Sequence, residues 1–233
     1  MMRGGGVPAS GSPGTGSLVS WWKLDEASGT RSDSHGTNHL TANNSPLSAT
    51  GKVSNAAQFV AASSQYLTIA NNASLQTGDI SFSFLFWYKP STVGRQLLLG
   101  KSTTGAGNAE YYFELRASSI MRFGIAQNVT PYVIDADAHG VLSIDTWYFI
   151  AGWHDSAGDT VSIQINNGAI NTLAHTLGAT IFGNNVSIGR LGEYNSLYAN
   201  GLIDEVAFYK KALTASERTW LYNAGAGRTY GDL

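Results

Sequence analysis

The chain has 233 residues, no cysteine, a formal net charge of −2 and only 13% charged side chains. This length suits one large all-β domain, and such a chain can bury about 70–75% of its unfolded surface without covalent staples. The absence of cysteine excludes disulfides. Because there is no basic stripe or Lys/Arg run, we expect neither nucleic acid nor a membrane surface as a partner.

The first 17 residues form a Gly/Ser/Pro-rich arm whose composition predicts flexibility when the arm is alone. The arm lacks the apolar core of a signal peptide, and no apolar run reaches the roughly 18 residues that span a bilayer. We therefore divide the chain into an arm at 1–17 and one domain at 18–233. We expect a location at an extracellular surface or in a virion.

Short apolar or alternating runs follow the arm, separated by turn residues as expected of β-strands. In the strongest run, Ile80–Tyr88, four aromatic side chains share one face, and Pro90 ends the strand because proline cannot donate to the ladder. So many short strands predict an all-β fold, a sandwich of two antiparallel sheets. The predicted strands are Leu18–Leu24, Ala56–Val60, Tyr66–Ile69, Ile80–Tyr88, Gln96–Leu99, Tyr111–Arg116, Met121–Ala126, Trp147–Trp153, Val161–Ile165, Val186–Ile188 and Leu202–Tyr209.

One short helix is predicted near the end of the chain. Thr214 and Glu217 have capping-box spacing, so each side chain can bond to the backbone N–H of the other residue. Trp220 and Leu221 would pack this helix on the sandwich, and Gly225 is expected to stop it.

Four segments of the chain follow one another in a specific order and spacing. They are Leu18–Gly29 with Asp33 and Gly36–Asn38, the strand end Trp87–Pro90, the hairpin unit Asp145–Asn167 with its turn at Asn167-Gly168, and Ile188–Arg190 followed by Gly201–Tyr209. Together they resemble the laminin-G-like jelly-roll domains of the concanavalin A-like lectin/glucanase superfamily, of the bacterial or phage type. The resemblance implies a concanavalin A-like sandwich and a calcium ion. It implies no single ligand, because this fold hosts lectins, adhesion modules and glucanases.

The resemblance places a structural calcium ion where the first and last core strands meet. Calcium takes six to eight oxygen ligands, and the turn Asp25–Asn38 offers carboxylates, an amide and Gly-rich carbonyls. The predicted ligands are Asp33, Asn38 and Asp204, with Asp25 as a weaker candidate. The alternative is that Asp25 and Asp33 only cap turns.

Catalysis is the minor alternative. Related glucanases carry several acidic residues on one strand, and a retaining enzyme needs two carboxyls about 5–5.5 Å apart. Glu110 and Glu114 would lie roughly 13 Å apart on a strand. Asp135 lies in a stretch predicted to be a loop, and Asp204 and Glu205 are predicted to point to opposite faces. A polysaccharide-degrading enzyme is therefore disfavoured, and we expect no catalytic residues.

Sugars stack their apolar faces on aromatic rings, and their hydroxyls bond to polar side chains. Most aromatic residues here are expected in the core, including four tryptophans at family packing positions: Trp22, Trp87, Trp147 and Trp220. The candidates for ligand contact lie in predicted loops, and they suit protein interfaces equally well. They are Tyr132, His139, Tyr194 and Tyr198.

Two functions fit these observations. The first is a non-catalytic binding module, carbohydrate-binding or adhesive, whose partner is a glycan. The second is a phage virion structural protein, a head decoration or tail-fibre subunit, whose arm contacts neighbouring subunits in a homo-oligomer or virion assembly.

Overall fold

The computed structural model describes residues 11–103 and 106–233, so residues 1–10 of the predicted arm lie outside the described residues. The strands are β1 Leu18–Trp22, β2 Thr41–Asn43, β3 Leu47–Thr50, β4 Asn55–Phe59, β5 Tyr66–Ile69, β6 Phe82–Pro90, β7 Gln96–Ser102, β8 Ala109–Leu115, β9 Met121–Gln127, β10 Thr130–Asp135, β11 Tyr148–Asp155, β12 Thr160–Ile165, β13 Ile170–Ala174, β14 Val186–Ile188 and β15 Gly201–Tyr209. The α-helix α1 spans Ala215–Tyr222. Short 3₁₀ turns lie at Ala61–Ser63, Ala73–Leu75, Ala106–Asn108, Asn223–Gly225 and Tyr230–Asp232. Among the described residues, no helix has the length and apolar character needed to cross a membrane.

The strands form two antiparallel sheets, which confirms the predicted sandwich. The larger sheet has the order β13-β12-β11-β6-β15-β4-β3, with β1 paired to β15. The smaller sheet has the order β10-β9-β8-β7-β14-β5-β2. Strand β15 pairs with β6 on one side and with β4 and β1 on the other, so the family's final strand lies at the centre of the larger sheet.

The main core lies between the sheets and is rich in aromatic rings. On β6, Phe82, Phe84 and Phe86 point into this core, as the period of two predicts, and Leu85 lies on the opposite face. The ring of Phe84 stacks on Phe208 of β15 with centroids 4.3 Å apart. Burial of these rings supplies most of the driving force for joining the sheets.

A second apolar cluster covers the outer face of the larger sheet. Trp21, Trp87 and Trp153 project from that face and meet side chains of α1 and the last residues of the chain. We call residues 212–233 the terminal cover. Its apolar contacts are Ala212, Leu213, Trp220, Leu221, Tyr222, Tyr230 and Leu233.

The described part of the predicted arm lies against the terminal cover of its own chain. A Cβ on Gly11 would lie 3.6 Å from the Cβ of Trp220. The backbone N–H of Lys210 donates to the carbonyl of Ser17 at 2.8 Å. The segment 11–17 therefore contacts α1 at Gly11 and the residue after β15 at Ser17.

Helix α1 begins as predicted and ends earlier than predicted. Thr214 and Glu217 form the reciprocal capping box. Asn223 and Ala224 both have a φ of 50°, which ends the helix after Tyr222. The predicted stop at Gly225 is wrong because asparagine already adopts the left-handed conformation there.

Four strands in the structure have no counterpart in the predicted set: β2, β3, β10 and β13. All four are edge strands of their sheets. The β12–β13 hairpin also turns one residue earlier than predicted. Asn166 and Asn167 both have positive φ, and the Gly168 N–H donates to the Ile165 carbonyl at 2.9 Å. Positive φ at both central residues defines a type I′ turn, which asparagine tolerates.

Candidate functional site

The outer face of the smaller sheet differs from that of the larger sheet because the terminal cover does not lie on it. Among the described residues, the segment 190–199 lies on it and contributes Leu191, Tyr194 and Leu197 to a small apolar cluster. We call this outer surface, together with the segment 190–199, the open face. Three regions of it follow one another across the strands.

The first region is a charged corner on β8, β9 and β10. Strand register places Arg122 opposite Asp135 on one side and opposite Glu114 on the other. Arg122 donates to both Asp135 oxygens at 2.7 and 3.0 Å, and Arg116 donates to Asp135 at 2.7 Å. Arg95, from the β6–β7 loop, donates to Glu114 at 2.5 Å. The bidentate guanidinium–carboxylate pair holds Arg122 and Asp135 in fixed planes.

The second region is apolar and lies at the centre of the sheet. Tyr112 of β8 lies over Gly124 of β9, where an added Cβ would come within 2.3 Å of the ring. Burial raises the pKa of Tyr112 to about 12, so its hydroxyl keeps its proton at neutral pH. Around it lie the half-buried side chains Val133, Tyr194 and Leu197.

The third region lies over β14 and β5. The guanidinium of Arg190 stacks on the ring of Tyr66 at 3.5 Å, and the Tyr198 ring lies 6.2 Å from the same tyrosine. Asn195 is exposed and accepts a hydrogen bond from Arg190 at 2.5 Å. Half-buried tyrosine rings and an exposed amide therefore lie at the surface, around the buried guanidinium of Arg190.

Two of the four predicted contact residues, Tyr194 and Tyr198, lie on the open face. Tyr132 does not lie in a loop but on the edge strand β10, where its ring packs on His175 at 4.1 Å and against the main core. His139 is exposed and meets Tyr148 edge-on at 5.5 Å, and partial burial lowers its pKa. The structure thus brings together only the two tyrosines of the segment 190–199.

Two of the predicted calcium ligands, Asp33 and Asn38, lie together but are saturated by protein donors. Asp33 accepts from the backbone N–H groups of Trp21, His35 and Asn38 at 3.0, 3.0 and 3.1 Å. The Asn38 amide donates to two serine hydroxyls, and its oxygen accepts from Asn72 at 2.9 Å. In this arrangement Asp33 caps the turn.

The other two, Asp204 and Asp25, hold the turn 51–55 between β3 and β4. One oxygen of Asp204 accepts from the backbone N–H groups of Lys52 and Val53 at 2.7 and 2.9 Å. Asp25 accepts from the Asn55 N–H at 3.0 Å. The second oxygen of Asp204, Oδ1, is buried and accepts no hydrogen bond of good geometry. Burial raises the pKa of this carboxyl to about 7.

An irregularity in β15 places Asp204 and Glu205 on the same side of the larger sheet. The register against β6 shifts between Asp204 and Ala207, and Glu205 has a φ of 48°. Asp204 pairs with Trp87 of the outer cluster, and Glu205 accepts from the indole N–H of Trp21 in that cluster. The prediction that the two carboxylates point to opposite faces is therefore wrong, because it assumed a regular strand.

The predicted calcium ligands thus occupy two places, one at Asp33 and Asn38 and one at Asp25 and Asp204. Nowhere in 11–103 or 106–233 do three or more His, Cys, Asp or Glu side chains form a group that could hold a metal ion. Of the four predicted ligands, only Asp204 has a buried carboxylate oxygen without a protein donor. These contacts fit calcium at Asp204 better than at Asp33.

The arginines of the open face were not among the predicted contact residues. The signal that could have found them is the cross-strand pairing of Glu114, Arg122 and Asp135. It was hidden because Asp135 was assigned to a loop. Arg190 carried no sequence signal of its own, since it depends on the loop that brings Tyr66 and Tyr198 together.

Comparison with known proteins agrees with this architecture. A family model for the concanavalin A-like lectin/glucanases superfamily matches residues 61–217, well over half of the chain. No curated protein matches the chain.

Solved structures give matches at low sequence identity. Domain 4 of AbnA, an extracellular arabinanase of Geobacillus stearothermophilus solved with arabinotriose, matches with a TM-score of 0.64 and 17% identity over 91% of this chain and 98% of that one. The binding domain of Paraclostridial Mosquitocidal Protein 1 matches with a TM-score of 0.71 and 15% identity over 90% of this chain and 52% of that one. The botulinum neurotoxin serotype D ligand-binding domain, solved with N-acetylneuraminic acid, matches with a TM-score of 0.67 and 12% identity over 89% of this chain and 50% of that one.

This chain therefore spans about half the length of the two toxin domains and nearly all of the arabinanase domain. Two of these neighbours are binding domains, and at these identities the likeness establishes the fold alone. The strand order and the central position of β15 agree with the family match. The chain belongs to the concanavalin A-like lectin/glucanases superfamily, as a laminin-G-like jelly-roll domain.

Proposed function

We propose that the protein is a non-catalytic glycan-binding module and that the glycan lies across the open face. The observation that carries this proposal is the difference between the two outer faces. The terminal cover buries the aromatic side chains of the larger sheet. The smaller sheet instead leaves half-buried tyrosines and planar polar groups at the surface.

The dimensions of the open face suit an oligosaccharide. Its regions extend from β10 to β5, which are five strand intervals apart in the sheet. At about 4.8 Å per interval this distance is roughly 24 Å. Half-buried Tyr194 and Tyr198 would support the apolar faces of sugar rings, while Asn195 and Arg122 bond to hydroxyls. The arabinotriose and N-acetylneuraminic acid in two neighbouring structures support a glycan as the partner, and the extracellular arabinanase supports an extracellular location.

The carboxylates of β8 and β10 favour binding over hydrolysis. Glu114 is ion-paired with Arg95, and Asp135 is held by two arginines. Glu110 is fully buried in an ion pair with Lys101. A glycosidase needs an acid and a second carboxylate free to act on opposite sides of a sugar. These three carboxylates have structural partners instead.

A glycan array with the purified protein tests the proposal, followed by calorimetry on the strongest glycan. We expect Tyr194→Ala and Tyr198→Ala each to weaken binding about three- to tenfold, since a stacked aromatic contributes about 0.5–1.5 kcal/mol. His139→Ala is the matched control, because this exposed ring lies off the open face. Equal affinity in all three variants, or no binding to any array glycan, would contradict the proposal.

A protein partner is the second candidate, as in a virion subunit. The observation that favours it is a set of exposed apolar side chains at one end of the sandwich: Val93, Val141 and Ile144 are 63%, 62% and 48% exposed. The loops that carry them are joined by a hydrogen bond from Asp145 to the Pro90 carbonyl at 2.8 Å. Native mass spectrometry separates the two functions, because a subunit of an assembly forms oligomers and a monomeric lectin does not.

We also propose that a structural calcium ion binds at Asp204 and Asp25. The free Oδ1 of Asp204 supports this choice, and so does the raised pKa of its carboxyl, since a cation would relieve the cost of burying the charge. Calcium is expected to raise Tm in wild type and in Asp33→Asn but not in Asp204→Asn. A calcium response that is lost in Asp33→Asn and kept in Asp204→Asn would show that the ion binds elsewhere.

A further inference from the structure

We propose that the glycan bound at the open face is acidic and that its carboxylate is recognised by the guanidinium groups of the charged corner. This inference rests on the proposed glycan-binding function. The ligand chemistry is a sugar that bears a carboxylate, as uronates and sialates do.

The charged corner has more positive than negative groups. Three guanidinium groups, those of Arg95, Arg116 and Arg122, share the two carboxylates Glu114 and Asp135. The protein as a whole has a net charge of −2, so the local surplus is opposite in sign to the total. A carboxylate added at this corner would balance the local charge.

The guanidinium groups that give this positive surplus are also accessible to a ligand. The side chains of Arg95 and Arg116 are 53% and 40% exposed. Each makes one hydrogen bond to its carboxylate, through Nε of Arg95 and Nη1 of Arg116. A guanidinium has five N–H donors in a planar fork that matches a carboxylate, so each arginine keeps donors for a ligand.

Arg122 gives the corner its rigidity. Its bidentate contact with Asp135 uses Nε and Nη2, and its side chain is only 20% exposed. Asp135 thereby also fixes the position of Arg116, which bonds to the same carboxylate. A ligand carboxylate would meet donors whose positions are set before binding, which lowers the entropic cost of binding.

The corner adjoins the apolar centre of the open face. Tyr112, which interacts electrostatically with Arg95 and Arg122, packs in the same cluster as Val133 and Tyr194. A sugar ring could rest on the half-buried Tyr194 while a carboxylate on that ring or the next one reaches the arginines. The geometry therefore combines a stacking surface with an anion site.

Calorimetry with matched glycans tests the inference. The probes are a trigalacturonate oligosaccharide, its fully methyl-esterified form, sialyllactose, and neutral arabinotriose. We expect at least one acidic glycan to bind tenfold or more tightly than the neutral probes, and its affinity to fall as salt rises from 0.05 to 0.5 M. The two acidic probes distinguish a uronate from a sialate.

Variants locate the anion site. Arg116→Gln and Arg95→Gln are expected to reduce the affinity for the acidic glycan fivefold or more and to leave the affinity for neutral glycans unchanged. Arg228→Gln is the matched control, because Arg228 stacks on Trp220 in the terminal cover. Equal affinity for acidic and neutral glycans overturns the inference and leaves the proposed function intact. Failure to bind any of the four glycans contradicts the inference, and the array result then decides the proposed function independently.

Discussion

At the scale of single residues, the buried carboxylates of β15 are the groups most sensitive to their surroundings. Glu205 is 4% exposed, and burial raises its pKa to about 8, with the indole N–H of Trp21 as a partial compensation. Asp204 is fully buried beside it and also has a raised pKa. Two such groups in adjacent positions make the stability of the fold depend on pH.

The sign of this dependence follows from proton binding. The folded protein holds a proton on Glu205 up to about pH 8, whereas the unfolded chain releases it near its ordinary pKa of 4.5. The contribution of Glu205 to stability is therefore greatest below pH 4.5, falls as pH rises, and levels off above pH 8. Glu205→Gln removes this contribution, because glutamine remains neutral and can still accept from Trp21.

Urea denaturation at pH 5 and pH 9 in EDTA measures the effect. Between these pH values, the free energy of unfolding should fall by a few kcal/mol more in wild type than in Glu205→Gln. Each unit of pKa shift corresponds to about 1.4 kcal/mol. Glu193→Gln, at an exposed carboxylate, should behave like wild type. The same pH slope in wild type and Glu205→Gln would mean that Glu205 is ionised in the folded state.

At the scale of secondary structure elements, central and edge strands differ in how far the sequence predicts them. Ile80–Tyr88 was recognisable because burial on both faces requires a long apolar run, and the structure has β6 there. The edge strands β2, β3, β10 and β13 are half-buried or exposed at most positions. An edge strand needs few apolar residues and pairs on one side only, so its pattern resembles that of a loop.

The same difference limited prediction of the site. Tyr194 and Tyr198 were identified from their residue type alone, whereas Tyr132 was misplaced when β10 was taken for a loop. The arginines of the charged corner could be connected only through the register of β8, β9 and β10. The bulge at Asp204 and Glu205 is equally invisible in a period-two pattern. The sequence did not reveal which residues of neighbouring strands lie opposite one another, and this register limited the prediction more than residue type did.

Helix α1 gives a prediction at this scale. The helix is short, so its capping box matters for holding the terminal cover on the larger sheet. Thr214→Ala should lower the free energy of unfolding by about 0.5–2 kcal/mol, because the backbone N–H of Glu217 loses its acceptor. Thr176→Ala, the same substitution at an exposed position outside the helix, is the control and should change stability by less. Equal effects of the two variants would show that the cap has no special role.

At the scale of the whole molecule, the sandwich is asymmetric. The larger sheet is covered on both faces, by the main core and by the terminal cover. The smaller sheet is covered on one face and carries a short surface segment on the other. One outer face of this jelly roll is covered, and the other carries tyrosines, an amide and arginines. The molecule therefore has one broad surface suited to a ligand.

Backbone amide NMR with a saturating glycan from the array tests this account most directly. Chemical shifts are expected to change mainly on β8, β9 and β10 and in the segment 190–199. Amides of the terminal cover and of the loop tips at Val93 and Val141 should change little. Shift changes concentrated on the terminal cover or at those loop tips, with none on the open face, would contradict the central claim that the smaller sheet carries the binding site.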